Sequence, residues 1–170
     1  MDGAGGVPVG TVTTIAGEPP PAVFDGTGTG AHFNGSIDVA LDGTGNAYVA
    51  DSFNHIIRKI TPAGETTTIA GQIGVSGKAN GVGTAAQFNT PTAVAADMAG
   101  NVYVADSSNH AIRKIATDGT VSTVAGLPGT SGNVPTGGNS ATSAAARFNS
   151  PRAIAVDDEG NLYVADGGQV

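Results

Sequence analysis

The feature that most constrains this chain is a unit that it repeats. Residues 100–115 read Gly-Asn-Val-Tyr-Val-Ala-Asp-Ser-Ser-Asn-His-Ala-Ile-Arg-Lys-Ile, and residues 45–60 are almost the same. The first half of this run occurs again at residues 160–166. The full alignment pairs residues 33–71 with residues 88–126 without a gap, and more than half of the aligned positions are identical. Such tandem similarity predicts one supersecondary unit that is copied along the chain, each copy packing on the next.

Each full copy is predicted to contain four short strands. Apolar runs rich in Val, Ile and Ala alternate with Gly, Asn and Asp turns, and no segment has a sustained helical period. The abundance of glycine (27 residues) suits many tight turns. The strands are expected at residues 37–42, 47–51, 55–60 and 66–70, and at residues 93–97, 102–106, 110–115 and 120–125.

Two incomplete copies flank the full ones. Residues 10–17 match the end of the unit and predict an isolated fourth strand, while a third copy begins at Phe148 and follows the repeat only to Asp166. The connectors between copies share a Gly-rich segment followed by Ala-x-Phe, which indicates that they are ordered parts of the repeat. Four-stranded units in tandem are typical of β-propeller blades, so we expect an all-β propeller. Residues 1–170 then form one domain or part-propeller, comprising the isolated strand 10–17, blades 33–71 and 88–126, and the partial blade 148–170.

The repeat also resembles a known family. The pattern Phe-Asn-x-Pro, then Asp-x-x-Gly-Asn-x-Tyr-Val-Ala-Asp, then Asn-His-x-Ile-Arg-Lys-Ile is similar to the NHL repeat, whose signature is present here as Asn54-His55-Ile56 and Asn109-His110-Ala111. The resemblance implies a propeller that serves binding or structure. It also allows an enzyme, because some six-bladed relatives are metal-dependent lyases or lactonases. First strands rich in alanine, with Asp38 as the one acidic exception, depart from the metal-binding pattern of those enzymes.

The composition of the chain limits the kinds of partner that it is expected to bind. The formal net charge is −7, no basic run is present, and we therefore expect no nucleic acid partner. No stretch has the length of a membrane-spanning helix, so no membrane partner is expected. The chain contains no cysteine, so its redox compartment cannot be read from the sequence. The acidic, Gly- and Thr-rich composition suggests an extracellular or cell-surface bacterial protein.

Several repeated polar residues are candidates for either chemistry or structure. His55 and His110 occupy equivalent positions, and we favour packing and hydrogen bonding within their own blades over metal binding or catalysis, because a metal site needs ligands that converge. Asp51 with Arg58, and Asp106 with Arg113, are expected to form ion pairs across a hairpin. A paired acid and cation at a ligand mouth is the alternative for them. No catalytic residue, metal site or cofactor is predicted.

Other repeated positions have weaker indications. The equivalent tyrosines Tyr48, Tyr103 and Tyr163 are expected between blades, with each hydroxyl reaching a partner at the rim. A polar ligand site could be formed by Asn34, Asn89, Asn149 and Arg152 at the inner mouth of the propeller. The competing interpretation is that each asparagine caps the turn before its first strand. A protein, peptide or glycan is the expected partner on the face that carries the connectors.

The number of blades raises the question of assembly. One chain alone would close into three blades, fewer than the usual four to eight. The sequence therefore predicts either a fragment of a longer propeller, enzymatic or ligand-binding, or completion of the third blade by a second copy. In the second case residues 10–16 of one copy pair with residues 152–166 of another, giving a six-bladed dimer or a head-to-tail filament. The residues favour a non-enzymatic interaction or structural module.

Overall fold

A computed structural model describes residues 13–16, 24–132 and 146–167. Twelve strands and four single turns of 3₁₀ helix make up the regular structure of these residues, and they contain no α-helix. None of their helices is long and apolar enough to cross a membrane. Of the predicted isolated strand 10–17, only residues 13–16 are described, and they are not in a strand.

The first blade is an antiparallel sheet of five strands. Its hydrogen-bonded order is β1-β5-β4-β3-β2, so the four longer strands form a simple meander with β2 at one edge. The strands are β1 (Gly26–Thr27), β2 (Ser36–Leu41), β3 (Ala47–Asp51), β4 (Ile56–Ile60) and β5 (Glu65–Ala70).

The second blade repeats this sheet, and the described part of the third contains two strands. The order β6-β10-β9-β8-β7 copies that of blade 1, whereas β11 and β12 form a two-stranded sheet by themselves. Their bounds are β6 (Gly81–Val82), β7 (Pro91–Ala96), β8 (Val102–Asp106), β9 (Ala111–Ile115), β10 (Thr120–Gly126), β11 (Pro151–Val156) and β12 (Leu162–Asp166).

The fifth strand of each complete blade differs from the four-stranded expectation. It is a two-residue strand in the connector that precedes the blade, and it pairs with the blade's last strand through Gly26 opposite Thr66 and Val82 opposite Thr120. A single 3₁₀ turn follows each of these short strands, at Gly28–Gly30 and Gly83–Ala85. Ordered connectors were predicted, but two residues are too few to show a strand period in sequence.

The hydrophobic core lies between blades. Tyr48, Ala50 and Ile57 of blade 1 pack against Phe88 and Val104 of blade 2 in one buried cluster. A second cluster joins Ala105 and Ile112 of blade 2 to partly buried residues of blade 3, among them Phe148 and Val164. Because the sheet of blade 2 buries one face against blade 1 and the other against blade 3, its strands are apolar on both faces, as expected of stacked sheets.

The outer faces of the first and third blades have no such cover in the described part of the chain. Val39 is 59% exposed, whereas Val94, at the equivalent position of blade 2, is 3% exposed. Ile37 and Leu41 are exposed beside Val39, and we call the surface formed by these three residues the open face of blade 1. At the other end Tyr163 is 61% exposed, whereas its equivalent Tyr48 is 6% exposed.

Candidate functional site

Arg58 is fully buried on β4 of blade 1 and donates four hydrogen bonds. Its Nη1 donates to the Asp51 carboxylate at 3.3 Å and to the His32 carbonyl oxygen at 2.7 Å. Its Nη2 donates to the Phe24 carbonyl oxygen at 2.7 Å and to the Asp25 carboxylate at 3.0 Å. The guanidinium therefore joins the hairpin of its own blade to the connector that precedes it.

Arg113 does the same in blade 2. It bonds the Asp106 carboxylate at 2.9 Å and the Asn80 side-chain oxygen at 2.7 Å, and two further connector oxygens belong to Gln87 and Ala79. Asp25 and Asn80 hold equivalent positions in the two connectors. Sequence reasoning missed these two partners, although both stand at the start of the recurring Gly-rich segment.

The acidic partner of each arginine is also buried and fully hydrogen-bonded. The Asp106 carboxylate accepts the Asn89 backbone N–H at 2.8 Å and the Asn109 side-chain amide at 2.8 Å, besides Arg113. Burial raises the pKa of Asp106 to about 6, against the opposing effect of these donors and of Arg113. The carboxylate is therefore ionised at neutral pH. Asp51 has the equivalent contacts, with the Asn34 N–H and the Asn54 amide.

Each buried arginine also lies over an aromatic ring. The Arg58 guanidinium carbon is 4.6 Å from the centre of the Phe33 ring, and that of Arg113 is 5.4 Å from the centre of the Phe88 ring. A cation over an aromatic face is attracted by the ring quadrupole, most strongly where water is excluded. In each complete blade, an aspartate, an arginine and a phenylalanine thus form one cluster of contacting side chains.

The two signature histidines connect successive blades. Their backbone is left-handed, with φ of 59° at His55 and 55° at His110. The His55 Nδ1 accepts the Thr90 N–H at 3.1 Å, and the His110 Nδ1 accepts the Ser150 N–H at 3.0 Å. The ring nitrogens were expected to bond within their own blades, but each accepts from the residue just before the first strand of the next blade. Burial lowers the pKa of His55, in keeping with a neutral ring that accepts at Nδ1.

Serine hydroxyls add a second polar link at each blade junction. Ser52 donates to the Pro91 carbonyl oxygen, and Ser107 donates to the Pro151 carbonyl oxygen. In addition, the Asp38 carboxylate accepts the Val94 N–H of blade 2 at 2.9 Å. Asp38, the acidic exception on the first strands, is thus bound to a backbone group between blades.

The three equivalent tyrosines each donate a hydroxyl hydrogen bond to a turn aspartate. The distances are 3.0 Å from Tyr48 to Asp42, 3.2 Å from Tyr103 to Asp97 and 3.0 Å from Tyr163 to Asp157. Burial, with the Asp42 charge, raises the pKa of Tyr48 to about 12. Burial also raises the pKa of Asp42, but hydrogen bonds from Asn46 and Thr44 outweigh it and hold that pKa well below its usual range.

No described contact links the residues of the predicted ligand site. Asn34, Asn89 and Asn149 each begin a different blade, and their backbone N–H groups bond Asp51, Asp106 and Asp166 respectively. Asn34, Asn149 and Arg152 are exposed, and Asn89 is half-buried. The ligand site at these four residues stays a prediction.

Catalytic machinery is not evident in the described residues. Among them, no three His, Asp or Glu side chains are grouped so that they could hold a metal ion. The buried carboxylates of Asp51 and Asp106 are engaged with side chains and backbone N–H groups of their own blades. The enzyme alternative stays a prediction.

The comparison with known protein families supports the repeat that the sequence shows. The family model for the NHL repeat matches residues 88–115, the segment that contains β7, β8, β9 and the His110 hairpin. Residues 33–60 repeat that segment. The chain contains NHL repeats. Its sheets are blades of the β-propeller fold, as the sequence predicted.

Two curated relatives resemble about half of this NHL-repeat chain. Protein SUPPRESSOR OF QUENCHING 1, chloroplastic, of Arabidopsis thaliana is 31% identical over 91 residues, which are 54% of this chain and 9% of that protein. NHL repeat-containing protein 2 of Bos taurus is 36% identical over 92 residues, 52% of this chain and 13% of that protein. The chain therefore spans only a small part of the length of these relatives.

A solved structure extends the similarity to most of the chain. The crystal structure of a protein of unknown function from Bacteroides thetaiotaomicron is 31% identical, with a TM-score of 0.63. The match covers 72% of this chain and 30% of that one. The comparison thus supports the NHL-type propeller architecture and leaves the activity open.

Proposed function

We propose that this NHL-repeat chain is a non-enzymatic interaction module that associates head to tail with further copies of itself. The contact would place blade 3 of one copy against the open face of blade 1 of the next. Two chains would then supply a six-bladed ring, and an unclosed rotation would supply a filament. An extracellular or cell-surface bacterial location, and a protein, peptide or glycan partner on the connector face, stay predictions.

The observation that carries the proposal is the difference in exposure at equivalent positions. Val39 and Tyr163 occupy positions that are buried at the internal junctions, yet each is more than half exposed. A shallow depression of about 400 Å³ lies beside the open face of blade 1, lined by Phe33, Ile37 and Val49 among others. Exposed apolar surface of this kind is typical of an interaction site.

The backbone of β12 supports strand pairing with another chain. Its equivalents β3 and β8 each pair with a strand on both sides, whereas β11 is the one strand that pairs with β12 among the described residues. An unpaired edge presents N–H and C=O groups that can receive an extended strand. The predicted pairing of residues 10–16 with residues 152–166 would use this edge.

The path of residues 13–16 fits a place at the same junction. Ala16 lines the depression beside Phe33, just as its repeat equivalent Ala70 packs with Phe88 between blades 1 and 2. In the complete blades the fourth strand pairs with the third strand and does not pair with the second. Residues 10–16 of one copy could therefore pair directly with β12 of another, in the position of a third strand. Alternatively, they could occupy the position of the fourth strand, separated from β12 by one strand.

Light scattering on the purified chain tests the proposal. We expect a species of at least twice the mass of one chain at micromolar concentration, and a single-chain mass after deletion of residues 1–17. A single-chain mass for the unaltered protein at all concentrations would overturn the proposal. An unchanged assembly after the deletion would overturn the role of residues 10–16.

A further inference from the structure

An asparagine is followed by a glycine at two places in the chain, at residues 34–35 and 80–81. Such a pair can cyclise, because glycine has no side chain that would keep its backbone nitrogen away from the side-chain amide carbon of the asparagine. A folded chain permits this reaction where the asparagine side chain can turn toward that nitrogen and the nitrogen is not held in a hydrogen bond. The structure treats the two pairs differently.

Asn80 is held in place, although it lies at the surface. Its Oδ1 accepts a hydrogen bond from Arg113 Nη2 at 2.7 Å and lies 3.4 Å from the Thr123 hydroxyl. The next residue, Gly81, belongs to β6 and is paired with Val121 of β10. To react, Asn80 would have to lose a charge-assisted hydrogen bond while its neighbour left the sheet.

Asn34 has a free side chain. Asn34 and Gly35 are both exposed. Asn34 is fixed through its backbone, whose N–H donates to the Asp51 carboxylate at 2.8 Å and whose carbonyl oxygen accepts the Phe53 N–H at 3.2 Å. Among the hydrogen bonds between described residues, none involves the Asn34 side-chain amide or the Gly35 N–H.

The local fold requires the glycine that makes Asn34 reactive. Gly35 is left-handed, with φ of 66°, and a Cβ at this position would lie 2.4 Å from the Phe53 ring. A larger residue would slow cyclisation but would also clash with that ring. The reactive pair is therefore a consequence of how the hairpin of blade 1 packs on the entry to β2.

We propose that Asn34 is a site of spontaneous deamidation in the folded chain, whereas Asn80 is protected. The Gly35 nitrogen attacks the Asn34 side-chain carbon and forms a C–N bond, while the bond from that carbon to the amide nitrogen breaks. Ammonia leaves with the proton of the Gly35 N–H, and a five-membered imide ring remains. Water then adds to either ring carbonyl and breaks its bond to nitrogen, which gives aspartate or isoaspartate without any change of oxidation state.

The isoaspartate product alters a contact at the edge of the buried arginine cluster of blade 1. Its chain runs through the former side-chain carbon, and the original backbone carbonyl becomes a free carboxylate. The oxygen that accepts the Phe53 N–H then belongs to that carboxylate, next to the residue whose N–H binds Asp51. Because Asp51 pairs with Arg58, we expect deamidation to loosen the hairpin of blade 1.

Mass spectrometry of the ageing chain tests the site. The folded protein is incubated at mildly alkaline pH, and cleavage by trypsin after Lys78 places Asn34 and Asn80 in different peptides. We expect residue 34 to gain the mass of deamidation at least about tenfold faster than residue 80, because Asn80 must first give up its bond to Arg113. In guanidinium chloride, where this bond is absent, the two residues should react at similar rates.

A matched variant tests the structural consequence. Asn34→Gln keeps a side-chain amide but would have to form a six-membered ring, which closes far more slowly. The aged unaltered chain should contain a population that unfolds at lower urea concentration than the fresh chain, and the aged variant should not. An unchanged urea transition in a fully deamidated chain would overturn the effect on the hairpin.

The comparison of folded and unfolded chains decides the proposal. An Asn34 that does not react in the folded chain, or that reacts no faster than Asn80, would overturn it. The same ratio of rates in the folded chain and in guanidinium chloride would show that the fold does not select the site, and would overturn it equally.

Discussion

Each complete blade buries an arginine with no exposed side-chain surface, at Arg58 and Arg113. A buried charge is costly unless it is paired and its hydrogen-bonding groups are satisfied. The Nη atoms of both arginines meet that condition through a carboxylate, a connector side chain and two connector carbonyl oxygens. The Nε atoms of Arg58 and Arg113 are buried without a hydrogen-bond partner among the described residues. The Nη contacts explain why the Gly-rich connectors that lead into these blades are ordered.

Replacing Arg113 should therefore destabilise the chain strongly. Arg113→Met keeps the bulk of the side chain but leaves Asp106 buried without its cation, so we expect a loss of about 3–5 kcal/mol in the free energy of unfolding. The control is Lys114→Met on the same strand, where the half-buried lysine lies over Tyr103 at 5.6 Å and should cost no more than about 1 kcal/mol. Urea unfolding measures both, and comparable losses would contradict the central role of Arg113.

At this scale the sequence predicted some contacts and missed others. The Asp106–Arg113 pairing could be foreseen, because both side chains recur at fixed spacing across a hairpin. The hydrogen bond from Tyr48 to Asp42 also agrees with the expected partner at the rim. The carbonyl oxygens of Phe24 and Ala79 could not be foreseen, since any residue type can supply a backbone acceptor.

At the scale of the elements, the junctions between blades depend on residues that the sequence places in the turn of a hairpin within one blade. His55 follows a 3₁₀ turn and has a left-handed backbone. Its ring accepts a hydrogen bond from the Thr90 N–H of the next blade. Strand positions within the blades were predicted to within about two residues, but the short connector strands were not predicted, and the described residues 13–16 of the predicted isolated strand 10–17 are not in a strand. The direction in which His55 bonds depends on how blades stack, and a repeat pattern alone does not give that geometry.

The His55 contact predicts a dependence of stability on pH. Burial lowers the pKa of His55 in the folded chain, whereas an unfolded histidine has a pKa of about 6.5. The unfolded chain therefore binds more protons than the folded chain below that pH. The contribution of His55 is complete above about pH 6.5 and is lost as the pH falls from there toward the lowered value.

A matched variant isolates this effect. His55→Asn tolerates the left-handed backbone and its amide oxygen can accept the Thr90 N–H, yet it does not titrate. Between pH 7 and pH 5, the free energy of unfolding from urea titrations should fall more for the unaltered chain than for the variant. Identical pH profiles would show that the neutral His55 ring makes no difference to folding.

At the scale of the whole molecule, blades 1 and 3 each have an exposed outer face that is buried at the equivalent internal junction. The equivalent positions Val39 and Val94 provide a paired test. Val39→Asp alters the exposed open face of blade 1, so we expect little change in the unfolding of a single chain but loss of self-association. Val94→Asp places a charge in a buried position and should cost more than about 3 kcal/mol. If Val39→Asp assembles normally by light scattering, the open face of blade 1 is not the contact.

The central claim is that another strand completes blade 3 at β12. Hydrogen–deuterium exchange of the amides of residues 162–166, measured across a range of protein concentrations, tests it most directly, with residues 102–106 of β8 as the internal reference. We predict that the edge amides of β12 become as protected as those of β8 under assembling conditions and exchange rapidly on dilution. Rapid exchange of β12 at concentrations where light scattering shows full assembly would contradict the claim.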